Sequence, residues 1–325
     1  MSLDILAPGL LTSVQDAGRY GSRAYGVGPG GAADRYSLEI ANLLVGNASD
    51  AAGLEVTLAG PTLRMRCATR LAICGAQIDA HADGIALPGW RPIVLHAGSV
   101  LMLGACRRGA RAYLAFAGGI DAPIVLASRS TDLRSGFGGH AGCALRTGDV
   151  LSLGLPHAAL TSPSAPNAST SPRIATWWID ADADLDFSGS AAVRMLMGSD
   201  ATSPVDALCA QEFVVDAASN RQGLRLRGAS IHIADPRERI SEPVVPGTVQ
   251  LPPDGHPIVL LADAQTVGGY PRIGHVIAAD LPKLAQRRAG QHLRFAVLDR
   301  LQAQRANAEQ RARIARIALA VSMRY

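Results

Sequence analysis

Between residues 68 and 117 the apolar residues come in short runs, Ala68–Ala80, Ile93–Leu103 and Arg111–Ala117, each bounded by Gly, Pro or Asp. Runs of this length with this punctuation specify strands joined by turns, so the fold class expected is mainly β with a few helices. No apolar run approaches the ~20 residues that span a bilayer, which excludes an integral helical membrane protein. One segment breaks the strand pattern. From Asp34 the chain reads Asp-Arg-Tyr-Ser-Leu-Glu-Ile-Ala-Asn-Leu-Leu-Val and ends at Gly46, with Leu38, Ala41, Leu44 and Val45 on one helical face. Asp34 suits an N-cap and Gly46 a left-handed terminator, so a helix is expected here.

A chain of 325 residues suggests two domains. Residues 1–155 read as a first β domain. Residues 156–173 are rich in Ser, Thr, Pro and Ala and read as a linker. A second β domain is expected over 174–299. The tail, 300–325, has neither Pro nor Gly and is expected to be helical. Weak echoes link the halves: Pro123-Ile-Val-Leu126 with Pro257-Ile-Val-Leu260, Arg19-x-Gly21-x-Arg23 with Arg221-x-Gly223-x-Arg225, and Gly148 with Gly290, each opening a turn and strand. Their offsets differ, so a simple tandem repeat is excluded; two related barrels with different insertions would give such echoes, and so would chance among short strands.

The net charge is +4 and aromatic residues are 4% of the chain. Its basic residues are scattered, unlike the clustered stripe of a nucleic-acid binder. Lysine occurs once, at Lys283. The five cysteines form no C-x-x-C pair and are odd in number, which argues against a disulfide framework or zinc ribbon and fits a reducing compartment. The first residues carry no secretory pattern, so a cytoplasmic location is expected. There is no phosphate-loop, dinucleotide or serine-elbow motif, and no metal-ligand spacing.

Four stretches are too polar for plain scaffold. Thr12–Gly21 gathers Gln15, Asp16 and Arg19 in a segment that suits an anion clamp or, more plainly, a surface turn with an Asp–Arg pair. Gly26–Arg35 is a glycine-rich loop leading to Asp34 and Arg35 at a helix start, either an anion site or an ordinary capped connector. Arg129–Gly142 is glycine-dense, permitting close approach to a ligand or another chain, and its His140 reads as solvated. The last runs from Ser241 through Gln250, Asp263, Gln265, Thr266, Gly268, Gly269 and Tyr270 to Lys283. Its amide, carboxylate, hydroxyl and phenol groups are the donors and acceptors a small amide or lactam needs. Lys283 could stabilise an oxyanion or a carboxylate, or be a surface lysine. Two patterns read as structural: the alternating Asp180, Asp182, Asp184 and Asp186, expected as a solvated strand face, and Asp79-x-His81-x-Asp83-Gly84, expected as a hairpin end.

Taken together and in order, Val14-Gln-Asp-Ala-Gly-Arg19, Gly60-Pro-Thr-Leu63, Gly118-Gly-Ile-Asp121, Ser128-Arg-Ser-Thr131, Gly136-Phe-Gly-Gly139, Ser219-Asn-Arg221, Ser241-Glu-Pro-Val-Val-Pro-Gly-Thr-Val-Gln250, Pro252-Pro-Asp-Gly255, Gln265-Thr-Val-Gly-Gly-Tyr-Pro271 and Ala279-Asp-Leu-Pro282 resemble the allophanate hydrolase subunit 2 family. That family is also called KipA-like or biotin-dependent carboxyltransferase-like, and it includes the C subunits of 5-oxoprolinases. The resemblance spans about residues 3–298. It implies two cyclophilin-like β-barrel domains and a KipI-like subunit 1 partner. In the 5-oxoprolinase branch a lactam-utilisation-type protein joins them, and the complex opens 5-oxoproline to glutamate with ATP as co-substrate. In the urea carboxylase branch the same modules move CO2 from carboxybiotin, carried elsewhere, to urea. A third branch is regulatory. Val27-Gly-Pro-Gly-Gly-Ala-Ala-Asp34 lacks the serine usual at that loop, and Val267 replaces the second Thr of Gln-Thr-Thr-Gly-Gly.

The leading expectation is therefore an enzyme subunit acting on a cyclic amide, inactive alone. Its expected catalytic residues are Lys283, Gln265 and Tyr270. Its expected substrate-binding residues are Gln15, Asp16, Arg19, Asp34, Arg35, Asn220, Arg221, Gln250, Asp263, Thr266, Gly268 and Gly269, with no metal.

Overall fold

The computed structural model describes residues 1–156, 171–188, 191–200, 204–232 and 240–324, so most of the segment read as a linker lies outside the described residues. The chain divides into two bodies, one of residues 1–19, 34–183 and 314–325, the other of 20–33 and 184–313. Both are mainly β with few helices.

The first body is a ten-stranded sheet whose spine is the antiparallel pair Thr69–Ala82 and Val100–Phe116. On one side Thr69–Ala82 pairs with Ile93–Leu95, which pairs with the short edge strand Arg173–Ile174. On the other, Val100–Phe116 leads through Thr62–Met65 to Ser2–Ala7 and Val150–Ser152. Leu11–Gln15 joins through Gly53–Thr57. The alternate residues Leu3, Ile5, Leu63, Leu71, Leu101 and Leu114 meet in one core, and each stabilises it by roughly 1.5–3 kcal/mol. The apolar run Ile93–Leu103 is two strands rather than one, because Gly98 turns the chain at φ +88°. The hairpin end at Asp83-Gly84 is present, with both residues at positive φ.

The helix Arg35–Val45 starts and stops at the expected caps. Asp34 accepts from the Ser37 backbone N–H at 2.9 Å and the Ser37 hydroxyl at 2.6 Å, and Gly46 sits at φ +78°. Leu38, Ala41, Leu44 and Val45 are all buried. The cap is tied to the sheet: the Asp34 N–H donates to the Tyr113 oxygen at 2.8 Å, and the Tyr113 hydroxyl donates to Glu55 Oε2 at 2.8 Å. Burial, then the nearby Glu55 and Asp34 carboxylates, push the Tyr113 phenol well above its ordinary value, so it keeps the proton it donates.

The second body is an eight-stranded sheet in the order His292–Leu293, Phe213–Val215, Gly223–Arg227, Ile258–Leu260, Thr248–Gln250, Arg272–Val276, Val193–Met197 and Phe295–Val297. Its last pair is parallel. Val193, Met195, Val249, Val259 and Ile273 form the core with Phe213 and Phe295, whose rings meet edge to face at 6.1 Å. The tail is the helix Arg300–Ser322. A reciprocal cap starts it: the Gln302 N–H donates to Asp299 Oδ1 at 2.7 Å, and the Asp299 N–H to Gln302 Oε1 at 3.0 Å. No helix among the described residues is long and apolar enough to cross a membrane.

The alternating aspartates are not a strand face. They enter the short helix Asp182–Leu185, Asp184 pairing with Arg313 at 2.6 Å and Asp186 with Arg287 at 3.2 Å. Of the echoes, Gly148 and Gly290 both turn the chain into strands at positive φ. The other two differ: 257–260 contains a strand whereas Ile124 and Leu126 lie exposed in a loop, and Gly223 is in a strand whereas Gly21 is in a turn.

Candidate functional site

The polar residues form two clusters, one in each body. In the first, Asp16 leaves the end of strand Leu11–Gln15 and organises the 128–131 loop. Its carboxylate accepts from the Gly18 N–H at 2.7 Å and the Ser128 hydroxyl at 2.7 Å, and also from the Ser130 hydroxyl and the Arg129 N–H. Arg19 is wholly buried; its guanidinium donates to the Ser130 carbonyl and stacks 4.7 Å from the Phe137 ring centroid. Gly138 and Gly139 are needed for this packing: both have positive φ, and a Cβ there would overlap the Ser130 carbonyl and the Thr131 hydroxyl. The close approach expected of this glycine-dense loop is thus made to its own chain. Gln15 is buried, donating to Ser13 Oγ at 3.0 Å and to the Thr131 carbonyl at 3.2 Å, while its Oε1 has no hydrogen-bond partner among the described residues. Arg35 is exposed beside Glu39, whose carboxyl is pushed up by burial against the pull of Arg35. Asp34 serves as the helix cap.

In the second body the glycine-rich loop 26–33 is held by Arg221. This guanidinium is bidentate to Asp263, at 2.8 and 2.9 Å, and donates to the Gly31 carbonyl at 2.7 Å. Arg23 donates to the Val244 carbonyl. No local feature of the sequence announces these two contacts with the 20–33 segment, since the partners are far apart along the chain. Asn220 is exposed and turns the chain by accepting from the Gln222 N–H at 2.8 Å.

The Gln265–Tyr270 loop is anchored by the pairing of Glu242–Pro243 with Val267–Gly268 and by the Val244 N–H, which donates to the Thr266 carbonyl at 3.0 Å. Beneath it is Gln250, buried, where the pairing of Thr248–Gln250 with Arg272–Val276 shifts register. Such a bulge re-aims a side chain. Gln250 Oε1 accepts from Gln265 Nε2 at 3.4 Å, and Gln250 Nε2 has no hydrogen-bond partner among the described residues. An unpaired buried donor costs about 1–3 kcal/mol and calls for an explanation in the protein's work. A Cβ on Gly268 would lie 2.6 Å from that same nitrogen. Gln265 and Tyr270 are both exposed residues of one short loop. An amide carbonyl accepts and a phenol donates, the pair of functions a lactam N–H and C=O require.

Lys283 is paired with a carboxylate of its own turn. Its ammonium is 3.0 Å from Oδ1 of the buried Asp280. Asp280 also takes both the backbone N–H of Arg194, at 2.8 Å, and its guanidinium, at 2.9 and 2.7 Å. Among the described residues, no group of three His, Cys, Asp or Glu side chains is arranged to hold a metal ion.

Residues 25–297 match the family described as carboxyltransferase domain, subdomain A and B. The chain is 39% identical over 298 residues to the C subunit of the 5-oxoprolinase of Escherichia coli (strain K12), covering 90% of each chain. It is 30% identical over 308 residues to the C subunit of the Haemophilus influenzae 5-oxoprolinase, again covering 90% of each. The crystal structure of the K. lactis urea amidolyase matches 97% of this chain with a TM-score of 0.83 at 28% identity, and this chain spans 20% of that one.

Proposed function

The chain belongs to the family of carboxyltransferase domains with subdomains A and B, and from that premise we propose that it is the C-type subunit of an ATP-dependent 5-oxoprolinase. The observation that carries this reading is the match along 90% of the length of both oxoprolinase subunits, against a fifth of the urea amidolyase. On this reading each sheet is one of the family's cyclophilin-like barrels. A KipI-like subunit 1 and a lactam-utilisation-type protein complete the enzyme.

The reaction adds water across the C–N bond of a resonance-stabilised lactam. Phosphorylating the lactam oxygen with ATP makes the carbonyl carbon attackable by water; the adduct breaks its C–N bond to give an acyl phosphate, and a second water releases glutamate and phosphate, which is why the opening is coupled to ATP. This chain's part is recognition. The Gln265 carbonyl accepts the lactam N–H and the Tyr270 hydroxyl donates to the lactam carbonyl. Gln250 positions Gln265 through the 3.4 Å contact, and Gly268 leaves room for it. Lys283 is engaged by Asp280, and the proposal assigns it to that carboxylate rather than to the catalytic role expected from sequence.

The experiment is steady-state kinetics of the reconstituted complex with Gln265→Ala and Tyr270→Phe. Each loses one substrate hydrogen bond, so kcat/KM for 5-oxoproline falls about tenfold or more while the complex still assembles. Unchanged kcat/KM in both variants contradicts the assignment. Carboxyl transfer from carboxybiotin on another chain is the second reading, favoured by the carboxyltransferase family that residues 25–297 match.

A further inference from the structure

Arg23 opens the single helical turn Arg23–Tyr25, which Gly26 closes at φ +79°. Within the second body its guanidinium Nη2 donates to two backbone carbonyls, that of Val244 and, at 3.4 Å, that of Thr266. The Val244 N–H donates to the same Thr266 oxygen at 3.0 Å. Arg23 is thus fixed on the closure of the Gln265–Tyr270 loop, one residue along the chain from Gln265.

Carbonyls orient a guanidinium without neutralising it. The carboxylates of the adjoining segments are engaged elsewhere: Asp263 is bidentate to Arg221, at 2.8 and 2.9 Å, and Glu242 pairs with Arg272. Arg23 itself has no ion pair among the described residues, and its Nε and Nη1 donors take no hydrogen bond there. Its side chain is only partly buried. A guanidinium held in place with donors to spare and no counter-charge is a site for a carboxylate. In 5-oxoproline the carboxylate sits on the ring carbon next to the lactam nitrogen. The group that reads it has to stand beside the group that accepts the N–H, here Gln265. Arg19, which its own segment marks as the anion clamp, is instead packed inside against Phe137.

We propose that Arg23 binds the carboxylate of the substrate, and so makes the site one for lactams that carry an acid next to the ring nitrogen. This rests on the lactam-recognition reading above and adds to it the residue that tells an acidic lactam from a neutral one.

The experiment is steady-state kinetics of the reconstituted complex carrying Arg23→Gln or Arg23→Lys, with hydrogen exchange of residues 264–270 followed in the same variants. Both substitutions shorten the tie to the two carbonyls, and only lysine keeps the charge. Loss of a charge-assisted hydrogen bond in Arg23→Gln is expected to raise KM for 5-oxoproline about ten- to hundredfold, with kcat and the KM for ATP changing less than about threefold. Arg23→Lys is expected to recover most of that loss. An unchanged KM in Arg23→Gln overturns the assignment. So does an equal loss in both variants with faster exchange over 264–270, since Arg23 would then only hold the loop. Both results presuppose glutamate release by the native complex; no release from it contradicts the oxoprolinase reading, and the carboxylate assignment falls with it.

Discussion

Lys283 and Asp280 face each other across one turn, Nζ to Oδ1, at 3.0 Å, and the carboxylate is fully buried. Since Arg194 already binds both carboxylate oxygens, Lys283 is the second cation on one anion. Lys283→Met removes that cation and leaves Asp280 paired. It is expected to lower stability by about 1–2 kcal/mol and to leave turnover of the reconstituted complex within about threefold of the native rate. Denaturant melts and steady-state rates on the same samples check it. A large loss of kcat with unchanged stability would return Lys283 to the chemistry.

Asp280 also sets a pH dependence. Burial pushes its carboxyl up, but Arg194, through its side chain and backbone N–H, and then Lys283 outweigh burial and hold it below its ordinary value. A carboxyl whose folded value is depressed contributes stability above its unfolded value, about 3.9, and loses it as pH falls through the folded value. Asp280→Asn is therefore expected to cost about 3–5 kcal/mol near neutrality, with the gap from the native protein closing below about pH 4. Urea unfolding from pH 3 to 8 measures both.

Arg221→Lys keeps the charge but loses the fork that grips Asp263 and the donation to the Gly31 carbonyl. A loss of about 1–3 kcal/mol is expected, with hydrogen exchange of residues 26–33 accelerating before the sheet's. Exchange that accelerates uniformly would mean that the loop is not held by Arg221.

Gly268→Ala places a methyl group 2.6 Å from Gln250 Nε2 and 3.5 Å from Gln265 Nε2, at a position free of backbone strain. The Gln250 amide has to move, whereas the distance to Gln265 is ordinary contact. On the lactam-recognition reading KM for 5-oxoproline rises about tenfold while the melting temperature stays within a few degrees.

Tyr113→Phe leaves Glu55 and the Asp34 N–H each short of a buried partner, and about 1–3 kcal/mol of stability is expected to go with it. Thermal unfolding checks this.

What could be read from sequence was what local chemistry encodes. The helix Arg35–Val45 was legible to the residue because Asp34 and Gly46 are cap residues acting on their own neighbours. The tail helix was legible in the absence of Pro and Gly over 300–325, and the structure adds the reciprocal cap of Asp299 and Gln302 that starts it. Long-range choices were not legible. Arg19 looks like an anion clamp in its own segment; only the Ser130 carbonyl and Phe137, far along the chain, show that it is packed inside. Likewise the glycine loop 26–33 joins the second body through Arg221, to which no spacing in the loop points. Gln250 stands out in the sequence for its polarity, but the bulge that aims it depends on the register of a partner strand.

The oxoprolinase reading is tested most directly by ATP-dependent glutamate release from 5-oxoproline when this chain is combined with the proposed subunit 1 and lactam-utilisation-type proteins, omitting each in turn. The oxoprolinase reading predicts glutamate only when all three are present, with ADP formed in step. Glutamate release at the full rate without this chain, or none from the assembled complex, would contradict it.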